Sequence, residues 1–451
     1  MPFMRRVDPA IRLVVWFIIP IIVGAFLLSL PISVEEGEIP FIDALFMATS
    51  AFCVTGLTVV NLPDTFSYFG EIVLLILIQL GGLGVMAFSS IFFLVFGGRI
   101  STSHAFELKQ TFTSRGDTRV RQILKGAIFV TVIIEAIGAV FLFFAFAMEL
   151  KPLEALYYAV FHSISAFNNA GLSISPNNLK DWHANIPALL GVASLIVIGG
   201  LGFTANTEIY NKIVNRPGRR RTSLHTKLVI TTTAILLAAG AVLFILLEMN
   251  NAYRNDPWHL KIAGGIFQAT TPRTAGFDAV EQSDLSVVSL LITIFLMTIG
   301  ASPGSTGGGV KTTSFAIIVM AIVARVRGSI GVDVFKRTVS YESVIKAVSI
   351  FILAILLIFA ATLLLMFFES GFHPAGIERG AELSYFFEVV SAFGTVGLSL
   401  GLTPLLHVPG KLVIIIMMII GRVGLLTLFY VVARQEGADR ISYSEESVMI
   451  G

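Results

Sequence analysis

The stretch Ser391-Ala-Phe-Gly-Thr-Val-Gly-Leu398 follows a short apolar segment and turns on Gly397. The same phrase stands at Ser50-Ala-Phe-Cys-Val-Thr-Gly-Leu57, Ser165-Ala-Phe-Asn-Asn-Ala-Gly-Leu172 and Thr270-Thr-Pro-Arg-Thr-Ala-Gly-Phe277. Its closing glycines, Gly56, Gly171, Gly276 and Gly397, recur roughly every 100 to 120 residues, the mark of a fourfold internal repeat.

The chain around these phrases is strongly apolar. Of 451 residues, 55% are hydrophobic and 13% charged, with a mean hydropathy of +0.85. Soluble domains carry about 25% charged residues, so this composition points to a bilayer. The single cysteine, Cys53, excludes an intrachain disulfide and a cysteine-rich metal site, and leaves the redox compartment open. Arg5 and Arg6 precede an apolar run, as in a signal peptide. The run is too long and closes at Ser29-Leu-Pro31 without a small-x-small cleavage site, so it reads as a retained membrane helix.

Every repeat has the same order: long apolar run, short apolar run, glycine phrase, long apolar run. The long runs cover 11–30 and 71–96, 123–148 and 186–210, 228–247 and 285–323, then 344–368 and 411–432. A spanning helix needs roughly 20 apolar residues, and one crossing per run makes eight. The short runs, 42–49, 156–164, 262–269 and 383–390, are too short to cross and read as re-entrant half-helices. Non-helical backbone at membrane depth survives only where protein or water surrounds it, so each glycine phrase suggests a water-lined path. The expected fold is an all-α polytopic membrane protein of four helix–pore loop–helix repeats around a central pore. The units are 1–115, 116–219, 220–330 with a broken second helix, and 331–451 with the C-terminal tail.

Charge placement orients the chain. Arg99, Lys109, Arg115, Arg119, Arg121 and Lys125 share one loop, and Lys212, Arg216, Arg219, Arg220, Arg221 and Lys227 another. Arg325, Arg327, Lys336, Arg337 and Lys346 follow, while Glu35, Glu36, Glu38, Asp64 and Glu281 fall on the opposite side. The positive-inside rule then puts both termini in the cytoplasm and the glycine phrases toward the outside. Nucleic acid is not needed to explain the basic loops. They set topology, touch anionic lipid or dock a soluble regulator.

A half-helix entering from outside presents its negative C-terminal end to the membrane interior. The residues after it, Val54-Thr55-Gly56, Asn169-Ala170-Gly171, Thr274-Ala275-Gly276 and Thr395-Val396-Gly397, can then expose backbone carbonyls. Four such loops around an axis give stacked oxygen rings that replace the hydration shell of a cation. Glycine permits the unusual φ and leaves no Cβ in the lumen. Cys53, Asn168, Arg273 and Gly394 open the four stretches. Arg273 is expected behind its loop, because a cation in the lumen would oppose conduction. Cys53 reads as a small buried thiol, or as an outer-vestibule thiol if external reagents block transport. A glycine-rich turn would explain one copy; four aligned copies favour the pore. The second long helices carry matching phrases as well: Gln79-Leu-Gly-Gly-Leu-Gly84, Val197-Ile-Gly-Gly-Leu-Gly202, Thr298-Ile-Gly-Ala-Ser302 and Ile419-Ile-Gly-Arg-Val-Gly424.

With these motifs the chain resembles the Ktr/Trk/HKT superfamily of potassium transporters, and is most similar to the bacterial KtrB type of membrane subunit. The likeness covers nearly all of the chain and rests on the phrases at Ser165–Gly171, Thr271–Phe277 and Ser391–Leu398 in combination. The extra N-terminal helix pair of the longer Trk type is missing. The resemblance implies potassium uptake through one central pore, with one glycine per filter loop. All four glycines are present here, the pattern associated with potassium preference; a serine in the first loop goes with sodium transport in some plant members. It also implies a homodimer on a cytosolic KtrA-like ring of nucleotide-binding regulators, in a bacterial plasma (inner) membrane. The chain itself has no nucleotide site and binds no cofactor; potassium is cargo, and sodium stands open as activator or as co-ion in symport.

The third repeat breaks its own pattern with Gly300-Ala-Ser-Pro-Gly-Ser-Thr-Gly-Gly-Gly-Val-Lys-Thr312. Pro303 and five glycines cannot sustain a regular helix. A phosphate-binding loop fails because Val310 separates Gly309 from Lys311 and no strand precedes it. The resemblance implies an intramembrane loop below the filter that restricts flow, here Gly304, Ser305, Thr306, Gly307, Gly308 and Gly309; a packing break without function is the plainer account. Arg422 takes the place of Gly82, Gly200 and Ala301 in the matching phrases. It either holds the loop carbonyls and repels permeating cations, or forms a structural ion pair, for instance with Glu135. Lys311 can serve similarly, or snorkel toward the cytosol.

His162 and His225 have no ligand partners at metal spacing and read as structural, and no arrangement suggests a catalytic triad. An enzyme is therefore not expected. The rival to a pore is a cation-coupled secondary transporter with alternating access, which also uses broken helices. Four units running in the same direction favour the pore.

Overall fold

Proline, glycine and serine set the helix boundaries. The computed structural model describes residues 9–96, 116–214, 222–329, 331–371 and 380–424. The first repeat supplies α1 (Pro9–Leu28), α2 (Phe41–Cys53) and α3 (Tyr68–Phe96). The second supplies α4 (Gly116–Phe146), α5 (Pro152–Phe167), α6 (Ile186–Leu201) and α7 (Phe203–Val214). The third supplies α8 (Leu224–Glu248), α9 (Trp258–Thr270), α10 (Val287–Thr298) and α11 (Thr312–Val326). The fourth supplies α12 (Tyr341–Glu369), α13 (Glu382–Gly394) and α14 (Val408–Val423). Arg5, Arg6, most of the first two basic loops and the C-terminal tail lie outside the described residues.

The short runs are helices of 13 to 16 residues, longer than their apolar stretches. Proline at or beside the first turn starts α2, α5 and α9, where a missing N–H costs no hydrogen bond. Their C-terminal ends are buried: Phe46 through Cys53 in α2, and Phe387 through Gly394 in α13. The longer helices do the opposite and expose large apolar side chains, among them Phe26, Phe129, Phe144, Leu246 and Phe359. An exterior of large exposed apolar side chains over a buried core suits lipid rather than water. By length and composition three described helices can cross a membrane, 128–146 in α4, α8 and α12; the bent pair α6–α7 makes a fourth if counted as one span.

The continuous crossing expected over 186–210 is not one helix. It bends by 102° between α6 and α7. The break falls at Gly202, whose φ of 87° and ψ of 152° belong to a region open only to glycine. α14 stops at the matching residue, Gly424, with φ 87° and ψ 138°. The third repeat unwinds from Ile299 to Lys311, as its glycines and Pro303 require. Only α3 runs on through the corresponding Gly84.

An all-α fold is also not the whole description. Val332–Val334 and Arg337–Val339 form an antiparallel hairpin between the third and fourth repeats. Its β-branched residues favour a strand, and Phe335 and Lys336 make the turn with φ of 50° and 63°. Val334 then packs against Leu228 and Ala316.

Candidate functional site

The four glycine phrases adopt one backbone conformation. Two residues before each glycine, the chain turns left-handed: Val54, Asn169, Thr274 and Thr395 have φ between 48° and 69°. The glycines follow at 93°, 68°, 74° and 100°. Ser50 and Ser391 hold two of the loops by accepting from Gly56 N and Gly397 N, each at 3.0 Å. Ser165 and Thr271 hold the others by donating to the Leu172 and Phe277 carbonyls, each at 2.7 Å.

These loops meet in a closed ring. A Cβ on Gly56 would strike the Ala170 carbonyl, one on Gly171 the Ala275 carbonyl, one on Gly276 the Val396 carbonyl, and one on Gly397 the Thr55 carbonyl. Each repeat thus presses its glycine against the next repeat's oxygen, and the fourth returns to the first. Val54, Thr55, Ala170, Thr274, Ala275, Thr395 and Val396 are fully buried around the ring. On one side it borders a cavity of about 180 Å³ lined by Gly56, Gly171, Gly397, Ser173, Asn178, Asp278 and Ser399.

The residues that open the four stretches have different surroundings. Cys53 is a buried free thiol. Asn168 reaches back to Gln79 and Glu135. Arg273, 7% exposed, lies behind its loop among Ile196, Gly200, Thr233 and Leu237. Gly394 approaches the Met297 carbonyl. The side chains of Asn168 and Arg273 thus find their surroundings behind the ring.

The matching helix phrases now have a physical reason. Gly81, Gly199 and Gly421 let the second helix of their repeat rest on the carbonyls of Phe52, Phe167 and Phe393, where a Cβ would collide. In the third repeat Gly300 meets the Gly308 carbonyl instead. The sequence signals these glycines by their register, but only the packing says what they touch.

The unwound segment of the third repeat touches the second and fourth repeats as well as its own. Its ends are pinned by Gly300 N to the Val310 carbonyl at 2.8 Å and by Ser302 Oγ to Thr312 Oγ1 at 3.0 Å. Ser302 N donates to the Gly200 carbonyl at 3.1 Å, and Phe203 N to the Gly304 carbonyl at 3.0 Å. Thr306 Oγ1 lies 3.3 Å from Asn169 Oδ1, Gly308 N donates to Thr395 Oγ1 at 3.0 Å, and Gly307 packs on Thr274. Asn169, Thr274 and Thr395 are ring residues, so the segment runs directly against the ring. Ser305, Thr306, Gly307 and Gly308 are buried there, with Gly304 and Gly309 at the margins.

Two cations hold the segment by its carbonyls. Arg422 Nη1 donates to the Thr306 carbonyl and Nη2 to the Gly81 carbonyl at 2.9 Å. The alternative ion pair with Glu135 is not formed, since Glu135 is engaged by Gln79 and Asn168. Lys311 does not snorkel; its Nζ donates to the Gly307 carbonyl at 2.7 Å. His162 is satisfied by the Tyr158 carbonyl and Ser173 Oγ, each at 2.8 Å, as a structural histidine should be.

A helical membrane chain with a ring of glycine loops and an unwound segment against it defines the class of ion-transporting membrane proteins, and residues 13–441 match the TrkH family of cation transport proteins. The chain belongs to that family, whose members are transporters and not enzymes. It is 38% identical to the Ktr system potassium uptake protein B of Vibrio alginolyticus over 95% of this chain and 92% of that protein. It is 36% identical to the potassium/sodium uptake protein NtpJ of Enterococcus hirae over 99% of this chain and 98% of that one. The crystal structure of the potassium transporter TrkH from Vibrio parahaemolyticus shares the fold, with a TM-score of 0.75 and 20% identity over 95% of this chain and 85% of that chain. The kinship expected from the glycine phrases is the one these comparisons return.

Proposed function

We propose that the chain takes up potassium through the glycine ring, which acts as a carbonyl-lined selectivity filter. The observation that carries this reading is the closed contact Gly56–Ala170, Gly171–Ala275, Gly276–Val396 and Gly397–Thr55. It brings one backbone oxygen from each repeat into the same contact, without a charged side chain in it. Such a ring compensates a cation for its lost hydration. The segment 304–309 is the gate: it lies against the filter threonines and is held by Arg422 and Lys311. In this reading the four repeats make eight crossings and four re-entrant helices, both termini are cytoplasmic, and the phrases open outward.

The relatives carry the names of potassium uptake proteins, two of them of a Ktr system. Those names support potassium as cargo and a membrane subunit working with a further component of its system. In this reading the chain sits in a bacterial plasma membrane as a homodimer on a cytosolic KtrA-like nucleotide-binding ring. Sodium acts as activator or co-ion, as the potassium/sodium uptake relative's name allows.

The test is growth of a potassium-uptake-deficient bacterium at low potassium, with the chain expressed alone and with a matched regulator. Rescue that strengthens with the regulator is expected. No rescue by well-expressed protein together with its regulator sinks the potassium reading. Flux under potassium gradients of either direction checks the mechanism: a pore passes ions down both without a stoichiometric partner, whereas a cation-coupled transporter needs its co-ion in fixed ratio.

A further inference from the structure

Glu135 sits on α4, 7% exposed, in an otherwise apolar run. Its Oε1 accepts from Asn168 Nδ2 at 2.9 Å and its Oε2 from Gln79 Nε2 at 3.1 Å. Asn168 Nδ2 also donates to Gln79 Oε1 at 2.9 Å, which closes a triangle of three side chains from two repeats. The Ile164 carbonyl takes a further share of the same amide at 2.9 Å, and Ser163 Oγ ties the Glu135 carbonyl at 2.7 Å. Asn168 is fully buried, directly follows α5 and directly precedes Asn169, the left-handed residue of the second glycine loop. On its other side stands Gly82, where a Cβ would collide with Asn168 Oδ1. That oxygen has no hydrogen-bond partner among the described residues, so the amide is oriented between α3 and α4 through its nitrogen.

Buried polar groups with no partner are costly, so such a triangle holds its members in one arrangement. The other three repeats carry Cys53, Arg273 and Gly394 at this position, and none of them makes such a network.

We infer that Glu135 is a positioning residue for ion selection: with Gln79 it fixes Asn168, and through Asn168 the second quarter of the glycine ring. This rests on the reading of that ring as the filter. It deepens that reading, because it assigns selectivity to a carboxyl that touches no ion and lies behind the pore wall.

The geometry offers a reciprocal test. Glu135→Gln puts an amide N–H against that of Gln79; if Gln79 flips to avoid it, Asn168 loses its acceptor. Gln79→Glu sets two carboxyls together. Exchanging both restores every donor, acceptor and carboxyl of the triangle with the ends swapped.

Rubidium and sodium tracer uptake is measured in one strain, with the amount of membrane-inserted protein and its thermal unfolding followed in parallel. Each single variant is expected to lower the rubidium-to-sodium uptake ratio about fivefold or more, as the loss of one buried hydrogen bond implies. The double variant Gln79→Glu/Glu135→Gln is expected to return the ratio to within about twofold of the parent. An unchanged ratio in Glu135→Gln overturns the inference. So does a double variant no better than the singles, or a loss confined to protein amount and maximum uptake. Failure of the filter reading itself would look different: the parent would not discriminate, and Gly397→Ser would change nothing.

Discussion

Arg422 donates through Nη1 to the Thr306 carbonyl, a contact between the second helix of the fourth repeat and the unwound segment of the third. Its other nitrogen reaches the Gly81 carbonyl, so one guanidinium spans three repeats. A guanidinium fork holds two carbonyls in one fixed plane; an ammonium has three donors but no such rigid fork. Arg422→Ala removes both the tether and the charge, and maximum potassium uptake is expected to rise several-fold with little change in the half-saturating concentration. Arg422→Lys separates the two effects. If charge is the barrier, uptake stays near the parent level; if the tether is the barrier, it rises as in the alanine variant. Unchanged or reduced flux in correctly assembled Arg422→Ala protein would count against both.

The ring glycines combine two demands that seldom coincide. Each has positive φ, and each has a neighbour's carbonyl where its Cβ would stand. Strained backbone at such a position costs on the order of 1–3 kcal/mol, and displacing the carbonyl alters the oxygen cage directly. Gly56→Ser, Gly171→Ser, Gly276→Ser and Gly397→Ser should each raise sodium uptake relative to potassium, about tenfold for a shift of 1.4 kcal/mol between the two ions. Gly401 supplies the control: its φ is 86°, but nothing lies within 4 Å of a Cβ there. Gly401→Ser should leave the ratio where it was.

The ring was legible in the sequence because conformation dictated residue type. Only glycine tolerates both the φ and the close approach, so four glycines in register announce themselves. The unwound segment was legible for the same reason, from Pro303 and its glycines. The bend at Gly202 was not. Gly202 closes a phrase that Gly84 also closes, and α3 passes through Gly84 unbroken. The difference is tertiary: beside Gly202 lies the Pro303 carbonyl, and Phe203 N bonds the Gly304 carbonyl. The triangle of Glu135, Gln79 and Asn168 was hidden as well, because the partners of Glu135 stand 56 and 33 residues away in the chain.

Cys53 tests the burial of the ring from outside. Its side chain is inaccessible, and a thiol in apolar surroundings is a poor nucleophile. External thiol reagents should therefore leave uptake unchanged, and Cys53→Ser should behave like the parent. Rapid block by a membrane-impermeant reagent, lost in Cys53→Ser, would place the thiol in the outer vestibule and require a different path for the first loop.

Asp278 lines the cavity beside Gly56, Gly171 and Gly397. Burial pushes its carboxyl up to about 7, against the opposing pull of Lys180 and a hydrogen bond from Gln282 at 2.9 Å. Glu281 and Glu388 add to the upward shift. Lys180 is itself paired with Glu281, which leaves Asp278 the less neutralised acid of the group. Its carboxyl is raised, so its negative charge beside the ring cavity is fuller on the alkaline side and fades as the pH falls through about 7. A negative charge there concentrates cations. At subsaturating potassium, uptake should fall by roughly two- to threefold as external pH drops from about 8 to about 6, and at saturating potassium the difference should shrink. Asp278→Asn should give the low rate at both pH values. A pH profile identical in Asp278→Asn and the parent would assign the dependence to another group.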